Sequence, residues 1–365
     1  MDPLNNPLDT TSPTARLRRA PVILVRSSAP SRIADVGGWT DTWFAREGVV
    51  CNIAFDHRAE VRVAAQPGSE RVVRLVVRLT GDDYQFEAMK LPGRHPIIEA
   101  AIDSFDIPGF VEVDIADTGL AGAGLGSSAS VMVALVAALS AAIGDPLDPG
   151  EVAALAHHHE TRTGKQSGIQ DHAAAAWGGI SRLDVRYPTV RRESVVVPPS
   201  ALGELRVGLH TVAFASPHAS SALHDEVIAR LDAGAGEREL DLMRVAADRA
   251  ATSLRSGDLD AYGMSLVTAH DAIAGLHPDL VGPDAHELES LAQQHGARGW
   301  KVNGSGGNGG SMVVLGPADP DDDAAFVHAV SARDGWRIVD AAIAPPGVTT
   351  ELAVADPRDE AGPTG

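Results

Sequence analysis

Residues 119–130 read GLAGAGLGSSAS, and residues 131–139 continue as VMVALVAAL. The first stretch is a glycine-rich loop, and the unbroken apolar run after it indicates a buried helix. Backbone N–H groups at a helix N-terminus point outward and carry the positive end of the helix dipole, so such a loop suits anionic oxygens. The pattern favours phosphate as the ligand, although the loop lacks the lysine of the GxxxxGK[ST] motif.

The same loop also fits a loose dinucleotide-binding fingerprint, Gly124-x-Gly126-x-x-Ala129. That fingerprint belongs to an early βαβ unit, with an acidic residue at the end of a strand about 20 residues further on. Residues 144–155 read GDPLDPGEVAAL, which predicts a turn and another helix instead. A dinucleotide-dependent oxidoreductase therefore remains an alternative that lacks the expected structural context.

A second glycine loop lies in residues 300–316, WKVNGSGGNGGSMVVLG. It runs from one predicted strand to another, so it does not meet the strand-to-helix context of a dinucleotide loop. A glycine-rich hairpin in a bulged strand is the plainer alternative. Two such loops in one chain favour a shared role in ligand binding.

Between the loops, residues 157–179 read HHHETRTGKQSGIQDHAAAAWGG. Phosphoryl transfer needs a metal ion to offset phosphate charge and a carboxylate to orient or deprotonate the attacking hydroxyl. Ser128 and Glu160 are candidate Mg²⁺ ligands, because Mg²⁺ takes few protein ligands and keeps several waters. Asp171, predicted on the first turn of the next helix, is the candidate base. A solvated helix face for Glu160 and a dipole-stabilised helix start for Asp171 are the alternatives.

The three consecutive histidines, His157 to His159, suggest a zinc site at first sight. Consecutive helical positions point about 100° apart, so these side chains are not expected to converge on one ion.

Near the start of the chain, residues 29–41 read APSRIADVGGWTD. Arg32 is a candidate for stabilising charge on a transferring phosphate, and Asp41 with Trp39 suits the hydroxyls and apolar face of a sugar. A surface salt bridge and a packed tryptophan are the alternative.

Composition narrows the classes of partner. The 365 residues carry a formal charge of −19, which argues against nucleic acid and anionic membranes. The single cysteine, Cys51, excludes an intrachain disulfide, and a cytoplasmic location is expected. The longest unbroken apolar run is residues 131–139, too short for a membrane span.

The hydrophobic patterning predicts helices after the first loop and a helical region beyond residue 220. Expected helices are 128–143, 149–163, 169–177, 220–233, 239–256, 259–276 and 285–295. We divide the chain into a disordered leader (1–19), an N-terminal domain (20–200), a C-terminal domain (201–355) and a flexible tail (356–365).

Four segments in this order resemble motifs of the GHMP kinase superfamily, named for galactokinase, homoserine kinase, mevalonate kinase and phosphomevalonate kinase. They are APSRIADVGGWTD (29–41), AGAGLGSSAS (121–130), ETRTGKQSGIQD (160–171) and KVNGSGGNGG (301–310). The GG-x-TD pattern is most similar to fucokinases and to kinases of D-glycero-D-manno-heptose 7-phosphate. The resemblance implies an α+β, two-lobed fold whose C-terminal half has ferredoxin-like topology.

The resemblance also implies an ATP- and Mg²⁺-dependent kinase of a sugar or sugar phosphate, with the anomeric hydroxyl as the candidate acceptor, working as a monomer or homodimer. Asp171 and Arg32 would be catalytic, and Ser128 and Glu160 would bind Mg²⁺. ATP would contact Gly122, Gly124, Leu125, Gly126, Ser127, Ser128, Gly304, Gly306 and Gly307, and the sugar would contact Gly38, Trp39 and Asp41.

Alternatives to a sugar kinase remain. A mevalonate- or homoserine-type kinase would act on a non-sugar alcohol, and a silent sugar- and ATP-binding sensor would have no turnover. A phosphorylated substrate would need a cationic cluster, for which Lys165, Arg206 and Arg230 are candidates.

Overall fold

The structure is a computed structural model that describes residues 22–116, 122–215 and 221–355. The predicted leader and tail lie outside these residues. The strands are β1 (Val22–Val36), β2 (Glu47–Gln66), β3 (Val72–Val77), β4 (Asp82–Glu87), β5 (Phe110–Ala116), β6 (Ile180–Arg186), β7 (Thr189–Ser194), β8 (Leu209–Phe214), β9 (Gly299–Val302), β10 (Ser311–Leu315), β11 (Trp336–Ile338) and β12 (Thr349–Ala355). The helices are α1 (Pro96–Ser104), α2 (Ser127–Ala142), α3 (Pro149–Arg162), α4 (Gln170–Trp177), α5 (Pro199–Gly208), α6 (Ser221–Asp232), α7 (Glu237–Ser256), α8 (Leu259–Leu276), α9 (Pro283–Gln294) and α10 (Pro320–Ser331), with a 3₁₀ turn at Pro278–Leu280.

The first sheet has the order β12-β1-β2-β5-β3-β4, with β6 beside β2 and β7 beside β6. At 20 residues, β2 is long enough to pair with β6 through residues 47–53 and with β5 through residues 60–66. Its neighbour β1 is buried throughout residues 29–36, where α2 and α4 pack against it. Charged side chains on that half of β1 are therefore removed from water.

Helix α2 lies against β1 and β2 and is buried on almost every side, as its apolar sequence predicts. Gly126 is its N-cap, so no side chain caps the first N–H groups. In contrast, α3 begins with a capping box between Asp148 and Glu151. The first turn of α2 therefore keeps N–H groups that a ligand can bind.

The second sheet has the order β11-β8-β10-β9, and every pair in it is antiparallel. Helices connect its first strand to its second and its third strand to its fourth. This is the βαββαβ arrangement of the ferredoxin-like topology. The predicted α+β fold with a ferredoxin-like C-terminal half is confirmed.

The two sheets share one of the buried hydrophobic clusters. Ile33 and Phe55 of the first sheet belong to the same buried cluster as Tyr262 of α8 and Val313 of β10. After β11 the chain returns to the first sheet, where β12 pairs with β1. The division between residues 200 and 201 falls inside α5 and stays a prediction. None of the described helices is long and apolar enough to cross a membrane.

The contact between α8 and β9 generates a stability prediction. A Cβ on Gly263 would lie 2.3 Å from the Arg298 carbonyl oxygen, whereas a Cβ on Gly203 of α5 would meet nothing within 4 Å. We expect Gly263→Ala to lower the free energy of unfolding by ~1–3 kcal/mol through overpacking, despite the better helix propensity of alanine. Gly203→Ala, the matched control, should raise it by up to ~1 kcal/mol. Urea unfolding of both variants checks this, and equal effects would contradict the close packing of α8.

Candidate functional site

The two glycine loops meet backbone to backbone. A Cβ on Gly124 would lie 2.8 Å from the Asn303 carbonyl oxygen, and one on Gly304 would lie 2.9 Å from the Gly124 carbonyl oxygen. Ser311 Oγ adds a hydrogen bond to the Ala123 carbonyl at 2.6 Å. Side chains at Gly124 and Gly304 would push the loops apart, so the glycines are required by this close approach.

Asn303, in the second loop, ties that loop to β1. Its Oδ1 accepts from the Ala34 N–H at 3.0 Å, and its Nδ2 donates to Ser311 Oγ at 3.0 Å. Gly306 and Gly307 lie further along the loop and pack on Leu280, where the Gly307 N–H donates to the Leu280 carbonyl at 2.7 Å. These two glycines line neither of the cavities described below, so their predicted contact with ATP stays a prediction.

Arg32 and Asp171 form an ion pair beside the first loop. Arg32 Nε donates to Asp171 Oδ1 at 2.8 Å, and the guanidinium also donates to the Gly124 carbonyl oxygen. Arg32 is buried, while Asp171, on the first turn of α4, is 26% exposed. Burial disfavours the charge on Arg32, but Asp171 and Asp35 outweigh it and raise the pKa of Arg32 above its ordinary value. Arg32 thus holds one oxygen of the Asp171 carboxylate, while part of the side chain stays accessible to solvent.

Asp35 and Lys301 form a completely buried ion pair that the sequence analysis missed. Lys301 Nζ lies 2.9 Å from Asp35 Oδ1, and both side chains are 0% exposed. Asp35 also accepts from Gln170 Nε2 at 3.0 Å and from the Gly304 N–H at 3.2 Å. Burial would raise the pKa of Asp35, but the positive charges of Arg32 and Lys301 outweigh it, so the pKa is lowered. The sequence signal that could have indicated this pair was the presence of a charged residue within each of two apolar strand segments.

Glu160 collects four contacts at the C-terminal end of α3. Ser128 Oγ donates to its Oε1 at 2.7 Å, and Ser167 Oγ donates to its Oε2 at 3.0 Å. The buried His172 Nε2 lies 2.9 Å from the same Oε2, and the Lys165 ammonium contacts Oε1. Burial would raise the pKa of Glu160, but His172 and Lys165 outweigh it, so the carboxyl is held ionised.

Ser128 and Glu160 fit a divalent cation. Their oxygens are 2.7 Å apart, close enough to be neighbouring ligands of one ion, and the carboxylate is ionised. The predicted Mg²⁺ ligands are therefore brought together. The histidines do not converge, since the ring of His157 contacts His172 and Tyr187 whereas His159 contacts Ser104.

Asp41 is 2% exposed and lines the site together with the aromatic side chains of Trp39 and Phe44, which form the aromatic wall. Its Oδ2 accepts from the Gln170 N–H at 2.9 Å. Burial raises the pKa of Asp41 to about 6, partly opposed by the Gln170 hydrogen bond and reinforced by Asp171 and Asp35. Among the described residues, no basic nitrogen lies within ion-pair distance of this carboxylate.

Trp39 forms part of the same wall. Its ring contacts Phe44 at 6.1 Å between centroids and lies edge-on to His224 at 5.6 Å. Gly38 does not reach the cavity wall; a Cβ there would lie 2.9 Å from Asp35 Oδ2. Of the three predicted sugar contacts, Asp41 and Trp39 therefore face a cavity and Gly38 supports the ion-pair network.

Two cavities meet at the first glycine loop. The smaller, about 270 Å³, is lined by the charged side chains of Arg32, Asp171 and Asp41 together with aromatic side chains. The larger, about 660 Å³, is lined mainly by apolar side chains of β3, α1 and α2. Both cavities share four residues: Gly124, Gly126, Ser128 and Lys165. Of the predicted loop residues, Gly122, Leu125 and Ser127 line the larger cavity and Gly304 lines the smaller.

Two of the three candidate cations lie away from these cavities. Arg230 of α6 donates to the Leu276 carbonyl oxygen at 2.9 Å, and Arg206 lies exposed on α5. Lys165 lies in the segment between α3 and α4, at the junction of the two cavities.

Comparison with known proteins agrees with this fold. Residues 95–179 match the model of the GHMP kinases N terminal domain. A D-glycero-D-manno-heptose 1-phosphate kinase structure from Bacteroides thetaiotaomicron has a TM-score of 0.69 at 19% identity, covering 90% of this chain and 98% of that chain. The galactokinase of Lactococcus lactis complexed with galactose has a TM-score of 0.69 at 17% identity, covering 89% and 95%.

Sequence comparison also finds a mevalonate kinase from Saccharolobus solfataricus, 24% identical over 217 residues that cover 59% of this chain. The match spans 65% of that relative's length. Residues 95–179 are thus similar to the N-terminal domain of GHMP kinases, and the chain shares the fold of these kinase structures.

Removal of one partner from the buried pair tests the network around Asp35. Lys301→Met should lower the free energy of unfolding by about 3–5 kcal/mol, because it leaves Asp35 buried with only the more distant Arg32. The double variant Asp35→Asn/Lys301→Met should recover part of this loss. Urea unfolding measures both, and a double variant less stable than the single one would contradict the pairing.

The Asp41 carboxyl generates a pH-dependent prediction. Burial raises the pKa of Asp41 in the folded protein from 3.8 to about 6. Between about pH 4 and pH 6 this carboxyl ionises more readily in the unfolded chain, so the free energy of unfolding falls as the pH rises through this range. Asp41→Asn removes this loss and should raise the free energy of unfolding at pH 8 by ~1–3 kcal/mol. The gain should shrink toward pH 4. Thermal melts across this range check it, with the exposed Asp279→Asn as control; a gain independent of pH would contradict the shifted pKa.

Proposed function

We propose that this protein is an ATP- and Mg²⁺-dependent kinase that phosphorylates a hydroxyl of a sugar, with the anomeric hydroxyl as the preferred candidate. The observation that carries the proposal is the position of Asp171. Its carboxylate lies in the smaller cavity against the glycine loop, and a Cβ on Gly126 would lie 3.2 Å from its Oδ2. A base in one cavity, next to the loop that borders both, suits transfer of a group from the other cavity.

The larger cavity suits the nucleotide. Its apolar walls, which include Ile97, Ile98 and Met132, can accept the adenine base. The glycine loop and the first turn of α2 then present N–H groups to the phosphates. The element directly after α2 is helix α3 rather than a strand. The dinucleotide alternative therefore lacks the βαβ unit that it requires at this loop.

Ser128 and Glu160 would hold Mg²⁺, which neutralises phosphate charge when it is bound. Asp171 would accept the proton of the acceptor hydroxyl as that oxygen bonds to the γ-phosphorus and the bond to the bridging oxygen of ADP breaks. Arg32 fixes the Asp171 carboxylate through its Nε and lies close enough to the loop to stabilise developing charge.

The smaller cavity supports a sugar as the acceptor. Asp41 offers a carboxylate oxygen to hydroxyl groups, and Trp39 gives an apolar surface of the kind on which sugar rings pack. Arg32 and Lys165 are the Arg and Lys side chains among the described lining residues, and both already pair with carboxylates. Among the described lining residues, a phosphate or carboxylate on the substrate would find Arg32 and Lys165 already paired with Asp171 and Glu160.

Mevalonate is the second candidate acceptor, because a curated relative is a mevalonate kinase. Its carboxylate would lie near Asp41, which disfavours it on charge grounds. The sensor alternative is disfavoured because the base and both metal ligands are retained and brought together. Cytoplasmic location and a monomeric or dimeric state remain predictions.

Replacement of the base tests the function. Asp171→Asn should leave Mg-ATP affinity nearly unchanged while turnover falls at least ~10²-fold, the lower range for general-base catalysis. ADP release is measured with pools of free sugars, sugar phosphates, and small alcohols that include mevalonate. Asp279→Asn, which alters a carboxylate 78% exposed and outside both cavities, is the control.

Turnover restricted to the free-sugar pool and lost in Asp171→Asn would support the proposal. Turnover with mevalonate alone would replace the sugar by the second candidate. Full turnover in Asp171→Asn would remove Asp171 from the role of base.

A further inference from the structure

Lys165 occupies the position that a divalent cation would take. Its ammonium contacts Glu160 Oε1 and lies 2.9 Å from Ser128 Oγ, the two oxygens that would ligate the metal. The chain has three lysines, and Lys165 is the one that borders both cavities. Its side chain is 41% exposed, so it is not locked in place by packing.

The Glu160 carboxylate has two distinct oxygens. Oε2 is held from within the protein by Ser167 Oγ at 3.0 Å and His172 Nε2 at 2.9 Å. Oε1 faces the junction of the cavities, and among the described residues it contacts only Ser128 and Lys165. One oxygen is thus anchored and the other is presented to a cation.

The elements on either side of this contact differ in burial. Ser128 and Glu160 lie on α2 and α3, and α2 is buried in the core. Lys165 lies in the exposed segment 163–166, next to Gly164, around which a Cβ would meet nothing within 4 Å. Rotation of the lysine side chain therefore needs no displacement of either helix.

We propose that Lys165 serves two positions in turn: it holds the metal position while the site is without nucleotide, and it moves to the phosphate oxygens when Mg-ATP binds. This inference rests on the proposed kinase function. A buried carboxylate without a counter-charge is costly, and the ammonium removes that cost in the nucleotide-free protein. Two cations cannot share the same pair of oxygens, so Lys165 leaves them once a metal ion is present.

The second position follows from the location of the lysine. Lys165 borders the loop residues Gly124 and Gly126, where the phosphates of a nucleotide in the larger cavity would lie. An ammonium released there can donate to phosphate oxygens, which form strong charge-assisted hydrogen bonds. Lys165 would then bind the phosphoryl group during its passage between the cavities.

Opposite effects on two affinities test this exchange. Lys165→Met should raise the affinity of the nucleotide-free protein for Mn²⁺ about tenfold or more, because the competing ammonium is gone. The same variant should bind a non-hydrolysable Mg-ATP analogue about tenfold more weakly, because a charged hydrogen bond to phosphate is lost. Electron paramagnetic resonance measures Mn²⁺ binding without nucleotide, and calorimetry measures the analogue.

Two further variants serve as controls. Lys90→Met removes a lysine that is 73% exposed and paired with Glu87 away from the cavities, and it should change neither affinity. Lys165→Arg keeps the positive charge and should leave Mn²⁺ affinity close to that of the unaltered protein. Thermal melting of each variant checks that it is folded.

The outcomes separate this inference from the function on which it rests. If the unaltered protein binds the Mg-ATP analogue but Lys165→Met leaves Mn²⁺ affinity unchanged or weaker, the exchange is wrong and the kinase proposal stands. Weakening of both affinities would assign Lys165 a structural role only. If the unaltered protein binds neither the analogue nor Mn²⁺, the proposed function fails and the exchange fails with it.

Discussion

Asp35 joins three parts of the chain that are far apart in sequence. Its carboxylate lies on β1 and receives Lys301 from β9, Gln170 from α4 and the Gly304 N–H from the second glycine loop. The Asp35, Lys301 and Gln170 side chains are buried, so each depends on the others for its hydrogen bonds or charge balance. This one carboxylate thus connects β1, β9, the second glycine loop and α4, the helix that carries Asp171.

The carboxylates of the site also differ in the cations that lie next to them. Arg32 lies between Asp35 and Asp171, so the same cation that balances the buried carboxylate orients the proposed base. Glu160 is contacted separately, by His172 and Lys165. Among the described residues Asp41 has no such cationic partner, and burial without one raises its pKa. A carboxylate kept without a cation in the interior is suited to a ligand that brings hydroxyl donors.

Local sequence was sufficient for much of the fold and for the choice of candidate residues. The predicted helix at 259–276 coincides with α8, and those at 149–163 and 239–256 differ from α3 and α7 by at most two residues. Glycine content, the apolar run after it and the carboxylates at Glu160 and Asp171 singled out the site because loop chemistry and helix periodicity are short-range signals. The structure brings these residues together, and their catalytic roles remain proposals.

Long-range pairing required the tertiary structure. Asp35 and Lys301 are separated by 266 positions, and the residues around each of them do not predict that the two will pair. The pairing of β12 with β1 and the contact between Lys165 and Ser128 likewise join segments that are far apart in sequence. The sequence by itself determined the elements, the glycine loops and the chemical types of the site residues, since these depend on near neighbours along the chain. Only the tertiary structure decided which charge balances which, because burial and distance between remote segments exist only once the two sheets have packed on their common core.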